Sequence, residues 1–149
     1  MNISRRSFLC RSAAVGGAVL AVHRGAHAAG SDLLKVGLVG CGSRGSGAAA
    51  NAMNADKGVR LVAMADAFAD RIEGSRTQLT KMFPEQMDVA PSRCFAGFDS
   101  YKQLIASGVD VVLLAAPPHF RPLHLKACIE AGKHVFCEKP MAVDATGVR

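Results

Sequence analysis

The chain has 149 residues, with 18 Lys and Arg against 12 Asp and Glu, for a formal net charge of +6. Four of the cations (Arg5, Arg6, Arg11, Arg24) lie in the first 24 positions, and the 121 residues after Ala28 carry 14 basic and 12 acidic side chains. A nearly neutral body argues against an electrostatic nucleic-acid binder, and 50% hydrophobic residues with 20% charged ones argue against disorder. Its length suits one domain with a real core.

Positions 1–28 read as an address. Arg5-Arg6 precedes the apolar pair Phe8-Leu9, and positions 12–22 are uncharged and rich in Ala, Gly and Val. Ala26-His27-Ala28 is a small-x-small cleavage site. Eleven weakly apolar residues are too few for a membrane span, which needs about 20. The pattern resembles a twin-arginine (Tat) export signal, which implies passage through the Tat translocase to the periplasm or another extracytoplasmic space. Cys10 departs from the Lys often found there, and an ordinary Sec signal or an uncleaved anchor is the alternative. Residues 29–33 form a linker, and a domain is expected over 34–149.

That domain alternates strand and helix. Positions 34–40 make a short apolar run ending in glycine, the first strand, and the small residues of 46–55 a helix that packs closely on a sheet. The second strand covers 60–65 and ends at Asp66. Ile72, Leu79 and Phe83 mark one face of the next helix, and Pro84 stops it. A weak third strand follows at 93–96, then a short helix with Tyr101, Leu104 and Ile105 on one side. Positions 109–115 are almost continuously apolar, as in a central parallel strand covered on both faces. Pro122 opens a helix with Leu125, Cys128 and Ile129 facing inward, and 134–137 is a fifth strand. The alternation predicts an α/β fold, a Rossmann-type doubly wound parallel sheet. The four cysteines of this part show no metal-like spacing, and those at 94, 128 and 137 are expected as small buried hydrophobes without a disulfide.

Gly40-Cys41-Gly42-Ser43-Arg44-Gly45 is G-x-G-x-x-G set between a strand and a helix, the context in which that pattern binds dinucleotides. Gly40 permits the tight turn, Gly42 lets the backbone approach a pyrophosphate, and Gly45 allows close helix packing. The helix start at Ser43 and Arg44 offers N–H groups and a guanidinium to the phosphates. Asp66, 21 residues beyond Gly45, can accept the adenosine ribose hydroxyls. It would repel a 2′-phosphate and no Arg follows at 67 or 68, which favours NAD over NADP. The competing role for Asp66 is to cap the next helix. Ala116-Pro117 and Glu138-Lys139-Pro140 end the fourth and fifth strands and should face the nicotinamide half of the cofactor. Lys139 there can hold a substrate hydroxyl or assist its proton transfer.

The segment Ala131-Gly132-Lys133-His134-Val135-Phe136-Cys137-Glu138-Lys139-Pro140 resembles the A-G-K-h-V-x-x-E-K-P stretch of the Gfo/Idh/MocA family, and the glycine loop and Pro117 match too. The resemblance implies a nicotinamide enzyme acting on a sugar, polyol or related hydroxylated compound. It implies a catalytic or substrate-binding role for Lys139 and a place beside the nicotinamide ribose for Glu138. Many members carry a His where this chain has Arg121; His119 and His124 lie nearby without a metal-site partner and are read as polar loop and helix residues. The resemblance also implies a second domain that supplies a catalytic Asp and His and a homo-oligomer interface, so 34–149 is expected to be the N-terminal part of a longer protein, inactive by itself. Two alternatives share the motifs: a glycoside hydrolase using NAD in a redox-neutral cycle, and a non-catalytic nucleotide-binding module.

Overall fold

The computed structural model describes residues 33–149; the expected signal at 1–28 and most of the linker lie outside them. Among the described residues no helix is long and apolar enough to cross a membrane. In chain order the elements are β1 (Leu34–Val39), α1 (Ser43–Ala55), β2 (Val59–Asp66), α2 (Ala69–Met82), a 3-10 turn at Pro91–Arg93, β3 (Cys94–Ala96), α3 (Ser100–Ala106), β4 (Val111–Leu114), α4 (Arg121–Glu130), β5 (His134–Cys137) and α5 (Ala145–Val148). The strands form one parallel sheet in the order β3-β2-β1-β4-β5.

Two-residue periodicity sorts the strand side chains onto two faces. Val36, Leu38, Leu61, Met64 and Leu113 meet Ala48, Ala49 and Met53 of α1 and Ile72 and Leu79 of α2. Val39, Val62, Val112 and Leu114 meet Tyr101, Leu104 and Ile105 of α3 and Cys128 of α4. Both faces are therefore covered, which is why β4 reads as unbroken apolar sequence. Small residues at 48 and 49 let α1 lie close to the sheet, and the Ser46 and Ser75 hydroxyls bond at 2.7 Å where α1 meets α2. Buried Gln86 donates its amide N–H groups to the carbonyls of Met53 and Asp56, left open where α1 ends, and of Val59 at the start of β2.

Three expectations change. The first helix starts at Ser43, one residue past Gly42, so the glycine loop is shorter than the Ala-rich stretch suggested. Ile129 is 61% exposed, whereas Arg121, His124 and Cys128 are buried, so the inward stripe of α4 includes a cation and an imidazole. Apolar periodicity alone cannot see such a stripe. Cys94 and Cys137 are only partly buried, because both lie on the two outer strands of the sheet; Cys128 is fully buried, and all four described cysteines are free thiols.

Candidate cofactor site

The strand order reverses direction between β1 and β4, and parallel strands all point their carboxyl ends the same way. The loops leaving those ends enclose a cleft of about 690 Å³. Such a crevice at the switch point is where open α/β sheets take ligands.

One side of the cleft is the glycine loop. Gly40 has φ +94°, and a Cβ there would lie 2.5 Å from the Ala116 backbone nitrogen, so only glycine fits. A Cβ on Gly45 would come within 1.8 Å of the Gly40 carbonyl oxygen, which brings the first turn of α1 against the end of β1. Gly42 differs. Its φ of −74° suits any residue, and a Cβ would meet nothing within 4 Å. Glycine there is needed neither for backbone strain nor for packing inside this chain. It keeps open the space over the N-terminus of α1, which has no side-chain cap and no acidic residue in its first turn. An uncapped helix start facing a cleft is an anion site by its dipole and free N–H groups.

Asp66 ends β2 at the next wall. Its Oδ2 accepts the Cys41 N–H at 2.6 Å and its Oδ1 accepts the Phe68 N–H at 3.0 Å. Phe68 is the N-cap position of α2, so Asp66 braces that helix entry and ties β2 to the glycine loop. Each carboxylate oxygen keeps a second lone pair for a hydroxyl. Cys41 is buried, and that burial, reinforced by Asp66, pushes its thiol up, so it is an unreactive filler of the loop.

Across the cleft Arg44, 66% exposed, forms an ion pair with buried Glu138 at the end of β5. The bonded guanidinium holds the Glu138 carboxyl below its usual 4.5, although burial opposes this. Ala116 and Pro117 line the floor, and exposed Lys139 follows Glu138 just outside the cleft, before a cis bond to Pro140.

These features and the sequence lead to the same place. The chain belongs to the Gfo/Idh/MocA oxidoreductase family. Its family model, described as "Oxidoreductase family, NAD-binding Rossmann fold", matches residues 34–149. Inositol 2-dehydrogenase 4 of Saccharopolyspora erythraea is 35% identical over 112 residues, covering 75% of this chain and 30% of that protein. A glycosyl hydrolase family 109 protein of Shewanella amazonensis is 34% identical over 111 residues, or 74% of this chain and 23% of that protein. The crystal structure of myo-inositol 2-dehydrogenase from Lactobacillus plantarum superposes with a TM-score of 0.62 at 26% identity, over 78% of this chain and 31% of that one. The chain thus spans less than a third of the length of these relatives.

The NAD typical of this family fits the residues present: a cradle that a Cβ at Gly42 would fill, an uncapped helix start, and a carboxylate on the wall. The structure brings Gly40, Gly42, Ser43, Arg44, Asp66, Ala116 and Pro117 to the cleft surface. Gly45 lies beneath the loop, Glu138 reaches the site through Arg44, and Lys139 is not on the cleft wall.

Sequence reasoning missed five contributors. Phe68, Phe98 and Phe120 give the cleft an aromatic wall, with Phe98 and Phe120 ring centroids 5.9 Å apart. They come from the loops after β2, β3 and β4, so only the strand order unites them. Arg71, in the first turn of α2 and five residues past Asp66, also lines the cleft. His124 was read as a polar helix residue. It is buried against Tyr101, ring centroids 4.3 Å apart, and burial lowers its pKa, leaving the imidazole neutral.

Proposed function

We propose that this domain is the cofactor-binding part of an NAD-dependent dehydrogenase acting on a sugar, polyol or similar hydroxylated small molecule. The open space over Gly42, at an uncapped helix start beside Asp66, supports this most directly. Gly42, Ser43 and Arg44 hold the pyrophosphate, Asp66 the adenosine ribose, and Ala116, Pro117 and Glu138 the nicotinamide half. NAD, when bound, supplies the hydride acceptor for oxidation of a secondary alcohol. Lys139 holds the reacting hydroxyl and helps its proton leave. The Asp66 carboxylate disfavours a 2′-phosphate, so NAD is preferred over NADP even with Arg71 in the cleft lining.

The paired Arg5-Arg6, the uncharged stretch and the Ala26-His27-Ala28 site support export by the Tat route, which carries folded proteins. An exported dehydrogenase meets little free NAD, so the protein keeps its nicotinamide through the cycle and regenerates it in place. The family's second domain completes the substrate site, adding the Asp and His and the oligomer contact. A second reading, a redox-neutral NAD-dependent glycosidase, is favoured by the glycosyl hydrolase family 109 relative.

One set of assays tests all of this. The protein recovered from the exported fraction is expected to release near-stoichiometric NAD on denaturation after dialysis, and to bind NADH more tightly than NADPH. Inositols and other polyols are expected to reduce bound NAD. Hydrolysis of aryl glycosides without net NAD reduction would transfer the function to the second reading. Binding of neither nucleotide would refute both.

A further inference from the structure

Arg121 is 3% exposed, yet no carboxylate among the described residues pairs with it at ion-pair distance. A buried guanidinium is costly unless its N–H groups are used. Here two of them are. Nη2 donates to the Ala116 carbonyl at 2.8 Å, in the loop after β4, and Nη1 donates to the Pro140 carbonyl, in the loop after β5. On the other side of Lys139, the Glu138 N–H donates to the Leu114 carbonyl at 3.0 Å, the last rung of the β4–β5 ladder. The Lys139 backbone is therefore fastened to the β4 segment from both sides. Beyond it, Ala142 is buried, and Gly147 packs so tightly on Ala142 and Pro122 that a Cβ there would lie 2.7 Å and 3.2 Å from them.

We infer that Arg121 is a positioning residue that fixes Lys139 relative to the cleft floor at Ala116, by clamping the loops after β4 and β5 together. This rests on the dehydrogenase reading for the role of Lys139, but the clamp itself does not. Packing would be served by an aliphatic side chain at this position without burying a charge. A planar fork that reaches two carbonyls in different loops is what the guanidinium adds, and a lysine ammonium on a single stem cannot span both in the same way. Glu138 also feels the Arg121 charge, after that of Arg44. The two cations thus hold the residues around Lys139 from opposite sides.

The test compares the full-length protein with its Arg121→Lys and Arg121→Ala variants by hydrogen–deuterium exchange, NADH titration and steady-state kinetics. Loss of one charge-assisted bond is expected to speed exchange over 137–143 about tenfold, and loss of both more. Exchange over 34–55 should be unchanged, and NADH affinity should stay within a few-fold of wild type. With inositol as substrate, kcat is expected to fall while the NAD retained through dialysis stays near-stoichiometric, Arg121→Lys recovering part of the loss. Arg121→Lys carries the test if Arg121→Ala does not fold. Unchanged exchange over 137–143 in either folded variant would overturn the clamp, as would faster exchange spread evenly over the domain. If no polyol is oxidised by the wild type, the dehydrogenase reading fails while exchange still decides the clamp. Faster exchange over 137–143 with kcat intact would overturn the positioning role.

Discussion

Three glycines in one loop do different jobs, and substituting them one at a time separates folding from cofactor binding. Gly42→Ala places a methyl group where nothing lies within 4 Å, at a φ of −74° that alanine adopts freely. The lower entropy of the unfolded chain stabilises by about 0.4–1 kcal/mol, and the poorer N-cap offsets a similar amount. The melting temperature should therefore stay within about 4 °C of wild type. Gly45→Ala puts its methyl 1.8 Å from the Gly40 carbonyl oxygen, a backbone atom that cannot swing aside. That overpacking belongs at the upper end of about 1–3 kcal/mol, or a fall of roughly 10–15 °C. Binding should rank differently. The Gly42→Ala methyl fills the anion cradle and displaces bonds to a charged group, weakening NADH by about 10- to 100-fold. Cofactor-free thermal melts and titration by nicotinamide fluorescence measure the two quantities. A Gly42→Ala protein that melts as low as Gly45→Ala, or binds NADH like wild type, refutes this division of labour.

Lys139→Ala is expected to cut turnover at least a hundredfold while leaving NADH affinity nearly intact, since a general acid–base group contributes about 10²–10⁴; equal losses in both would remove Lys139 from the chemistry. Burial lowers the His124 pKa, so the unfolded chain binds the extra proton and stability must fall as pH drops below about 6.5. Replacing His124 with Phe should flatten that limb in denaturant melts from pH 7 to 5, and an unchanged limb would show that His124 is not its source. Glu138 is held below 4.5, mainly by Arg44, so its contribution is full above that pH and is lost as pH falls through its folded value. Glu138→Gln should blunt acid unfolding below pH 4.5 and leave the His124 limb in place, as circular dichroism against pH would report.

Much of the fold is legible because its signals are local. The runs at 34–39 and 111–114, the glycine loop and the Asp66 strand end each announce themselves within a few residues. What is not legible is either nonlocal or polar where an apolar residue is expected. Phe68, Phe98 and Phe120 are lone aromatics in three loops until the order β3-β2-β1-β4-β5 sets those loops side by side. On α4, hydrophobic periodicity selects Leu125, Cys128 and Ile129, while the buried stripe runs through Arg121, His124 and Cys128. A pattern that scores only apolar residues must misplace such a helix by about a sixth of a turn.

The polar stripe that defeats the sequence pattern lies along the cleft. An inward Arg or His in a folded helix is unfavourable unless hydrogen bonds or stacking compensate for burial. Here Arg121 bonds two loop carbonyls, and His124 stacks on Tyr101 as a neutral ring. Asp66 works in the same way on the opposite wall, spending one lone pair of each oxygen on backbone N–H groups that join β2 to the glycine loop and brace α2. Each of these side chains does a structural job next to the cleft it also lines, so each couples the shape of the site to the stability of the loops around it. A substitution at 66 or 124 should therefore change loop order and ligand affinity together, whereas one at 121 should change loop order and turnover. Gly42, with neither packing nor strain to satisfy, should change affinity alone.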